Sequence, residues 1–338
     1  WFLVGAESAV DGVPLEAIWL FQAVFAGTAA TIVAGAVAER MKFVAYLGYA
    51  FLLSAFIYPV VGHWVWGGGW LAELDFHDFA GSTVVHGVGG MAALVGAWLL
   101  GPRFGRFGKD GAPHVIAGHN MPLVGMGVFI LWFGWFGFNA GSTLGFDEPD
   151  VVARVAINTT LAPSAGAIAA MFTAWAWWGK PDLTIALNGA LAGLVGITAP
   201  CSAVSPSASL FIGLVAGILV VFGIDWMNRM RVDDPVGAVP VHGLCGIWGT
   251  LAVGIFGQAA LGSPNNGLLY GGGLGQLGVQ CLGVIACYAF AGFAMFMVFK
   301  VIDVTLGLRV SHETELRGLD LDEHGMESYA GFQIFTTE

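Results

Sequence analysis

Long apolar segments separated by short polar ones constrain the fold of this chain more than any other feature. A helix needs about 20 largely apolar residues to cross the hydrocarbon core of a bilayer. Nine such segments, of which the sixth is the shortest, can be read at residues 18–38, 43–62, 79–100, 121–140, 152–178, 184–199, 207–228, 236–257 and 273–302. The sequence therefore predicts an all-α fold, a polytopic membrane helix bundle with nine transmembrane helices.

The composition supports lipid as the solvent of this bundle. Of the 338 residues, 57% are hydrophobic and only 10% are charged, whereas soluble domains average about 25% charged residues. We expect the transmembrane domain to cover residues 18–304. Residues 1–17 are interpreted as the remnant of an earlier helix plus an outer loop, and residues 305–338 as a polar tail.

The distribution of basic residues between the loops predicts the orientation. Eleven of the twelve Lys and Arg residues follow the odd-numbered segments, namely Arg40, Lys42, Arg103, Arg106, Lys109, Lys180, Arg229, Arg231, Lys300, Arg309 and Arg317. Only Arg154 falls on the other side. The positive-inside rule places the basic side in the cytoplasm, so the C-terminal tail is expected to be cytoplasmic. The formal net charge of −11 argues against nucleic acid as a partner.

One sequence pattern occurs twice in the most apolar parts of the chain. Residues 78–90 read DFAGSTVVHGVGG and residues 234–246 read DPVGAVPVHGLCG, each with a His eight residues after an Asp. Under the predicted topology the two copies run antiparallel, as in an inverted repeat whose binding site lies near the bilayer midplane. We expect Asp78 and Asp234 to be helix N-caps, with Pro235 at the first helical position.

The two histidines of this pattern are the strongest functional candidates. Eight helical residues would carry His86 and His242 about 12 Å into the bilayer from opposite faces, so the two rings should meet near the middle. A single intramembrane His could equally be a packed residue bonded to a backbone carbonyl, but two at matched depth favour a function. A neutral imidazole pair can share one hydrogen bond and still offer groups to a small polar solute.

Aromatic residues gather toward the predicted outer ends of the segments. Phe25 lies in the first segment, Trp66 in the outer loop WVWGGGW, and Trp135, Phe138 and Ser142 in WFGFNAGS. Most membrane aromatics form a belt at the interface. A Gly-Gly-Gly run beside Trp66 is less typical of a belt, because it exposes backbone in a tight turn.

Together these motifs resemble the ammonium transporter family (Amt/MEP, related to the Rh proteins). The resemblance rests on FQAVFAGTAATIVAGAVAERMKF, VWGGG, DFAGSTVVHGVGG, GHNMPLVGMGVFILWFGWFGFNAGS, RVDDP with VHGLCGIWG, and the tail GLRV…GLD…HGMESY. Family members usually have eleven helices, so nine segments imply that the first helix and most of the second are missing from this sequence. Ser82 stands where many members have a second Gly.

The resemblance implies roles for eight residues. Phe25, Trp66 and Ser142 match an outer ammonium-recruiting site, Phe25 and Phe138 a stacked phenyl gate, Asp78 a carboxylate behind the site, Trp135 a wall of the path, and His86 and His242 the pore histidines. It also implies a homotrimer in the plasma membrane and contact of the cytoplasmic tail with a P-II type signalling protein.

These roles suggest a mechanism in which ammonium binds outside, loses its proton near the gate and crosses as ammonia. Cation–π attraction and a hydrogen bond accepted by Ser142 would select ammonium over potassium. An apolar pore would oppose an intact cation far more than neutral ammonia. The proton would travel separately, with the histidine pair as its relay.

Three alternatives remain open at the level of sequence. His86 and His242 could be axial ligands of a membrane haem, the chain could be an ammonium sensor without transport, or it could be an Rh-like gas channel, against which Trp66 argues. No nucleophile–base pair, phosphate loop or metal-spaced Cys/His cluster indicates an enzyme, and no cofactor or metal is expected. The four cysteines have no CxxC spacing and are interpreted as small buried hydrophobic residues.

Overall fold

The computed structural model describes Ser8 and residues 12–329, so most of the predicted N-terminal remnant and the end of the tail lie outside the described residues. Within that part the chain is helical, and the only β-type pairings are the isolated bridges Met41–Arg309 and Phe107–Pro113.

The first half of the chain forms six helices and two π-helical turns. In chain order they are α1 (Leu15–Val37), α2 (Phe43–Leu52), a π turn (Leu53–Ile57), α3 (Tyr58–Trp66), α4 (Trp70–Glu73), a π turn (Ser82–Gly87), α5 (Val88–Leu100) and α6 (Met121–Asn139). The second half adds α7 (Pro149–Trp178), α8 (Leu183–Thr198), α9 (Pro206–Arg229), a π turn (Val239–Leu244), α10 (Cys245–Phe256) and α11 (Gly275–Thr305). Two short helices, α12 (His312–Arg317) and α13 (Leu319–His324), form the described tail.

Eight of the nine predicted segments form helices that are long and apolar enough to cross a membrane. The sixth forms α8, which has only 16 residues and would rise about 24 Å, less than the bilayer core. All nine predicted segments are therefore helical among the described residues. Eight are long enough to span the membrane, and the sixth is a shorter apolar helix.

The helix α8 ends at Thr198, two residues before Pro200, which has no N–H to continue it, and a hydroxyl from the π turn Ser82–Gly87 bonds to its last groups. Ser82 Oγ donates to the carbonyl of Val195 at 2.7 Å and accepts the N–H of Ala199 at 2.7 Å. It thus stands between two groups that would otherwise pair as an i→i−4 helical bond, a known cause of helix interruption. This is the structural consequence of having Ser at the position that was noted in the repeated pattern.

The backbone beyond α8 is irregular but buried in protein. Asn158 Nδ2 donates to the carbonyls of Cys201 and Val204 at 2.9 Å, and Arg154 Nε donates to that of Ser202 at 3.0 Å. Non-helical backbone is tolerated at membrane depth only where its polar groups are satisfied in this way. Arg154, the one basic residue predicted on this side, is therefore explained by the carbonyl that it satisfies.

The loops predicted to be basic meet at the opposite end of the bundle. Asp233 is fully buried and pairs with Arg103 at 2.8 Å and Arg106 at 3.1 Å. Arg40, also fully buried, donates to the Asp233 carbonyl at 2.7 Å. The tail joins this end, because Arg309 donates to the carbonyl of Leu100 at 2.9 Å.

Candidate functional site

Each histidine of the repeated pattern lies in a π-helical turn at the start of a membrane helix. His86 lies in the turn Ser82–Gly87 and His242 in the turn Val239–Leu244. The His86 N–H bonds to the carbonyl of Gly81, five residues back, at 3.0 Å. Turns of this kind are rare and are frequent at functional sites.

The aspartates of the pattern hold the two turns in place through their carboxylates. The Asp78 carboxylate accepts the backbone N–H groups of Gly81, Ser82, Thr83 and Val84 at 2.8–2.9 Å. The Asp234 carboxylate accepts those of Gly237, Ala238 and Val239 at 2.7–3.1 Å. Burial raises the pKa of both aspartates, and the backbone hydrogen bonds oppose that rise.

The helix starts differ from the N-cap prediction. The prediction that Asp234 and Pro235 are N-cap and first helical residue is wrong, because the helical turn begins at Val239, and the turn after Asp78 likewise begins at Ser82. The estimate that each histidine lies about 12 Å into the bilayer also fails, because not all eight residues between Asp and His are helical. The glycine three residues after each aspartate explains why the helix starts later than predicted.

Gly81 and Gly237 turn the chain between aspartate and helix. Both have a positive φ, of 113° and 76° respectively, a region that glycine adopts without a steric penalty. This conformation directs the following N–H groups toward the carboxylate. The Asp-x-x-Gly shared by the two copies therefore starts both turns, because its glycine turns the backbone and its aspartate accepts the N–H groups that follow.

Glycines also bring the two turns into contact. A Cβ at Gly90 would overlap the backbone of Gly243, and a Cβ at Gly246 would lie 2.5 Å from the carbonyl oxygen of Ser82 and 3.4 Å from the nitrogen of Gly87. Such close approach of helices requires residues without a side chain. The glycines on the C-terminal side of each histidine thus let the two turns cross back to back.

The predicted meeting of His86 and His242 is present in the structure. Their Nδ1 atoms are 3.1 Å apart, and their rings lie at 5.1 Å with planes inclined by 23°. His86 is fully buried, and its Nε2 has no hydrogen-bond partner. An unpaired buried nitrogen is costly, so this atom is the natural contact for a polar solute.

The short Nδ1–Nδ1 contact fixes what the pair can offer. One Nδ1 must carry a proton and the other must accept it, so both rings cannot be protonated on this nitrogen. The donor ring then has a bare Nε2, and the acceptor ring has an Nε2–H. The pair therefore presents one hydrogen-bond donor and one acceptor on its outer nitrogens.

Aromatic rings form a continuous stack from the histidines outward. The His86 ring lies parallel to Trp135 at 5.1 Å and 15°, and to Phe138 at 5.3 Å and 23°. Phe138 in turn stacks on Phe25 with centroids 4.3 Å apart and planes at 28°. Phe25 is 2% exposed, so the stack ends in a buried ring on the side away from the histidines.

Trp66 and Ser142 lie next to the phenyl pair. The Trp66 ring meets Phe25 edge-on at 6.0 Å and 86°, and Ser142 Oγ donates to the Phe138 carbonyl at 2.7 Å. The placement of Trp66 in a loop is wrong, because it is the last residue of α3. Its indole N–H donates to the carbonyl of Asp78 at 2.7 Å, so Asp78 orients this ring through its backbone.

The histidine geometry does not fit the haem alternative. Two axial ligands must bind on opposite sides of one iron, with the porphyrin plane between them. Here the two Nδ1 atoms bond to each other, and Trp135 and Phe138 occupy the space around His86. Among residues 12–329 no group of three His, Cys, Asp or Glu side chains could hold a metal ion.

Three residues of this site were not predicted from the sequence. Phe21 packs on Phe25 at 4.6 Å, Thr198 Oγ1 accepts the Trp135 indole N–H at 2.9 Å, and Tyr288 Oη donates to the carbonyl of Gly243 at 2.7 Å. Phe21 lies one helical turn before Phe25, which was the available signal. Thr198 and Tyr288 come from distant helices and have no local signal.

Three comparisons with known proteins agree on one family. The model described as "Ammonium Transporter Family" matches residues 2–329. The ammonium transporter Amt2 of Archaeoglobus fulgidus is 48% identical over 100% of this chain and 75% of its own length. A putative ammonium transporter of Synechocystis is 47% identical over 94% of this chain and 70% of its own. A solved structure titled "Sensor Amt Protein" aligns with a TM-score of 0.85 at 40% identity, covering 91% of this chain and 76% of that one.

Proposed function

The chain belongs to the ammonium transporter family, and on that premise we propose that it recruits ammonium beside Trp66, removes its proton near the stacked pair Phe25–Phe138, and conducts ammonia past His86 and His242. It is a transporter rather than an enzyme in this proposal. The observation that carries it is a hydrogen-bonded histidine pair lying directly behind a stacked phenyl pair.

The outer aromatic group suits a small cation with N–H bonds. Trp66 and Phe25 offer ring faces, each worth roughly 0.5–2 kcal/mol to a nearby cation. The hydroxyl hydrogen of Ser142 is already donated to the Phe138 carbonyl, so its lone pairs remain for an incoming N–H. Potassium has no such hydrogen, which gives the site a basis for discrimination.

The stacked phenyl pair separates this site from the histidines. A cation that passed between Phe25 and Phe138 would lose its water without gaining a charged partner, which costs several kcal/mol or more. Neutral ammonia carries a far smaller penalty. The proton is therefore released before or at the gate.

The histidine pair provides the polar step in the apolar path. Ammonia can accept from one Nε2–H and donate to the other, bare Nε2, so it meets both functions of the pair. When a proton arrives at the bare Nε2 of the donor ring, the shared proton can pass to the other Nδ1 while the acceptor ring releases its Nε2 proton. One proton then crosses the pair, both rings stay neutral, and the two tautomers are exchanged. The same arrangement thus serves both ammonia passage and a separate proton relay.

The test is an ammonium pulse on proteoliposomes that contain the product of the complete gene, with a potassium pulse as control. A saturable current with ammonium and none with potassium supports selective, charge-moving transport. Alkalinisation of an internal pH dye without current supports passage of ammonia alone. The absence of both a current and a pH change would contradict transport.

The second candidate is a sensor that binds ammonium without carrying it, favoured by the similarity to the structure titled "Sensor Amt Protein". The tail is tied to the membrane domain, since the Val310 N–H bonds to the Arg40 carbonyl at 3.1 Å and the Phe43 N–H to Glu323 at 2.8 Å. In that case ammonium would bind without flux and would change hydrogen exchange in residues 306–329.

The cellular setting follows from the same premise. We place the protein in the plasma membrane as a homotrimer, with the basic loop cluster and the tail in the cytoplasm. A P-II type protein would bind at that face, where Arg103, Arg106 and Arg309 gather. The orientation is tested by the accessibility of a cysteine introduced in the tail, which should react in inside-out vesicles and be protected in right-side-out vesicles.

A further inference from the structure

We propose that Tyr288 of α11 is a positioning residue for the histidine pair, holding both π turns at the separation that lets His86 and His242 share a proton. It lies outside the repeated pattern and was not among the predicted site residues. The proposal rests on the proposed function for its effect on transport, but its structural part can be tested without transport.

The hydroxyl of Tyr288 ties α11 to the turn that carries His242. Tyr288 Oη donates to the carbonyl of Gly243 at 2.7 Å, one residue after that histidine. Within the described residues it is the only side chain of another helix that hydrogen-bonds to the backbone of Val239–Leu244. This part-buried hydrogen bond fixes the carbonyl, and with it the direction of the neighbouring His242 side chain.

The ring of Tyr288 presses at the same time on the turn that carries His86. A Cβ at Gly87 would lie 2.5 Å from Cε2 and 2.8 Å from Oη of Tyr288, and a Cβ at Gly246 would lie 3.0 Å from Oη. The phenol therefore occupies the space that side chains at Gly87 and Gly246 would fill. Tyr288 thus contacts the residue that follows each histidine.

This placement lets Tyr288 set the distance between the Nδ1 atoms of His86 and His242. The 3.1 Å Nδ1–Nδ1 contact depends on the relative position of two backbone turns that approach each other at Gly90, Gly243 and Gly246. Glycines allow close approach but do not specify it, since they have no side chain that interlocks. The Thr83–Thr250 hydrogen bond of 2.6 Å holds the turn that carries His86 against α10. Tyr288, which contacts both turns and is bonded to the one that carries His242, holds the turns relative to each other.

The first test is Tyr288→Phe, which removes one oxygen and keeps the ring. Solid-state NMR of ¹⁵N-histidine-labelled protein in bilayers should show the wild type with one protonated and one bare Nδ1 in a shared hydrogen bond. In the variant we expect that signature to weaken or to average. The maximal transport rate should fall roughly tenfold, about 1.4 kcal/mol and the upper range for one buried hydrogen bond, with KM unchanged because the outer site is not touched.

Tyr49→Phe is the matched control. Tyr49 is fully buried and its hydroxyl has no hydrogen-bond partner, so the same chemical change there should leave the histidine spectrum and the rate as in the wild type. Gly87→Ala provides a second route, since it displaces the Tyr288 ring while keeping its hydroxyl, and should also alter the histidine signature.

The outcomes separate the two proposals. A wild type that carries no ammonium contradicts the proposed function, and the NMR comparison still decides the role of Tyr288. Wild-type histidine signals in both Tyr288→Phe and Gly87→Ala would overturn the positioning role, as would an equal change in Tyr49→Phe.

Discussion

At the scale of single residues, the site combines buried polar atoms that are satisfied with a few that are not. Trp66, Trp135 and Ser142 each have their own hydrogen donated to a fixed partner. His86 Nε2 has none. The first three are therefore oriented by the protein, and in the proposed function the last is the atom that a passing solute would contact.

Replacing both histidines with leucine should remove ammonium-selective flux. The variant His86→Leu with His242→Leu fills similar space but offers no proton or lone pair. Proton transfer by a placed side chain is typically worth 10²- to 10⁴-fold, so we expect a fall of roughly a hundredfold or more in the ammonium current, or a current that no longer excludes potassium. His63→Leu, on an exposed side chain at the end of α3, is the control. Unchanged selective flux would refute the pore role.

Replacing Ser142 with alanine should weaken recruitment of ammonium and leave the maximal rate intact. The loss of one accepted hydrogen bond corresponds to about 1 kcal/mol, so KM for ammonium should rise roughly fivefold while potassium exclusion declines. Ser164→Ala is the matched control, because its hydroxyl also donates to the carbonyl four residues back, at 2.8 Å, but on an exposed face of α7. If Ser142→Ala and Ser164→Ala had the same KM for ammonium, Ser142 would not take part in binding ammonium.

At the scale of elements, the sequence predicts which helices exist better than how they begin and end. The antiparallel repeat and the equal Asp–His spacing predicted that His86 and His242 would meet, although the helix rise used for their depth was wrong, because the glycine after each aspartate delays the helix start. The π turns themselves were not predictable, since their apolar side chains do not distinguish an i→i−5 from an i→i−4 ladder. The stacking of Phe25 on Phe138 was expected only through the family resemblance.

The end of α8 shows why the rest was out of reach. The predicted end at residue 199 lies one residue from the observed end at Thr198, because Pro200 is a local stop signal. What could not be predicted is the partner of the final groups, since the Ser82 hydroxyl that bonds to Val195 is 113 residues away along the chain. Tyr288 and Thr198 escaped prediction for the same reason, because their roles lie in contacts between distant helices.

Removing the Ser82 hydroxyl should destabilise the junction of α8 with the first π turn. Ser82→Ala leaves the Val195 carbonyl and the Ala199 N–H without their shared partner in a fully buried place. We expect a loss of about 1–3 kcal/mol, seen as a lower unfolding temperature in detergent. Ser209→Ala, also fully buried but bonded only within its own helix at 2.7 Å, should cost less. Equal losses would mean that the Ser82 bridge contributes no more than an ordinary hydrogen bond within one helix.

At the scale of the whole molecule, one buried carboxylate joins segments from both halves. Asp233 pairs with Arg103 and Arg106 and, through its carbonyl, with Arg40. Arg103 also reaches Glu39 at 2.5 Å. The tail binds next to this cluster through Arg309. Asp234, whose carboxylate caps the turn that carries His242, thus follows directly after a residue that is anchored to the face where the tail docks.

The pKa of Asp233 predicts how this anchor responds to acid. Burial alone would raise it, but the hydrogen bonds from Arg103 and the nearby charge of Arg40 lower it below its usual value of 3.8. An acid with a lowered folded-state pKa stabilises the fold above its unfolded pKa, and that contribution disappears as the pH falls through the folded value. The pKa values of Asp78 and Asp234 are raised, so these two residues take up protons at a higher pH than Asp233. The unfolding free energy of the wild type alone would therefore combine pH effects of opposite sign.

Comparison with Asp233→Asn isolates the effect of this residue. Near pH 7 the variant leaves Arg103, which is 9% exposed, beside a neutral partner, and breaking one side of a buried ion pair costs roughly 3–5 kcal/mol. The difference in unfolding free energy between wild type and variant should be largest above about pH 5 and should shrink as the pH falls below 3.8. Asp225→Asn, which breaks only an exposed pair with Arg229, should cost less than about 1 kcal/mol at any pH. A difference that stays constant down to pH 3 would show that Asp233 is not the charged anchor of the two halves, and would leave the tail without this route to the pore turn.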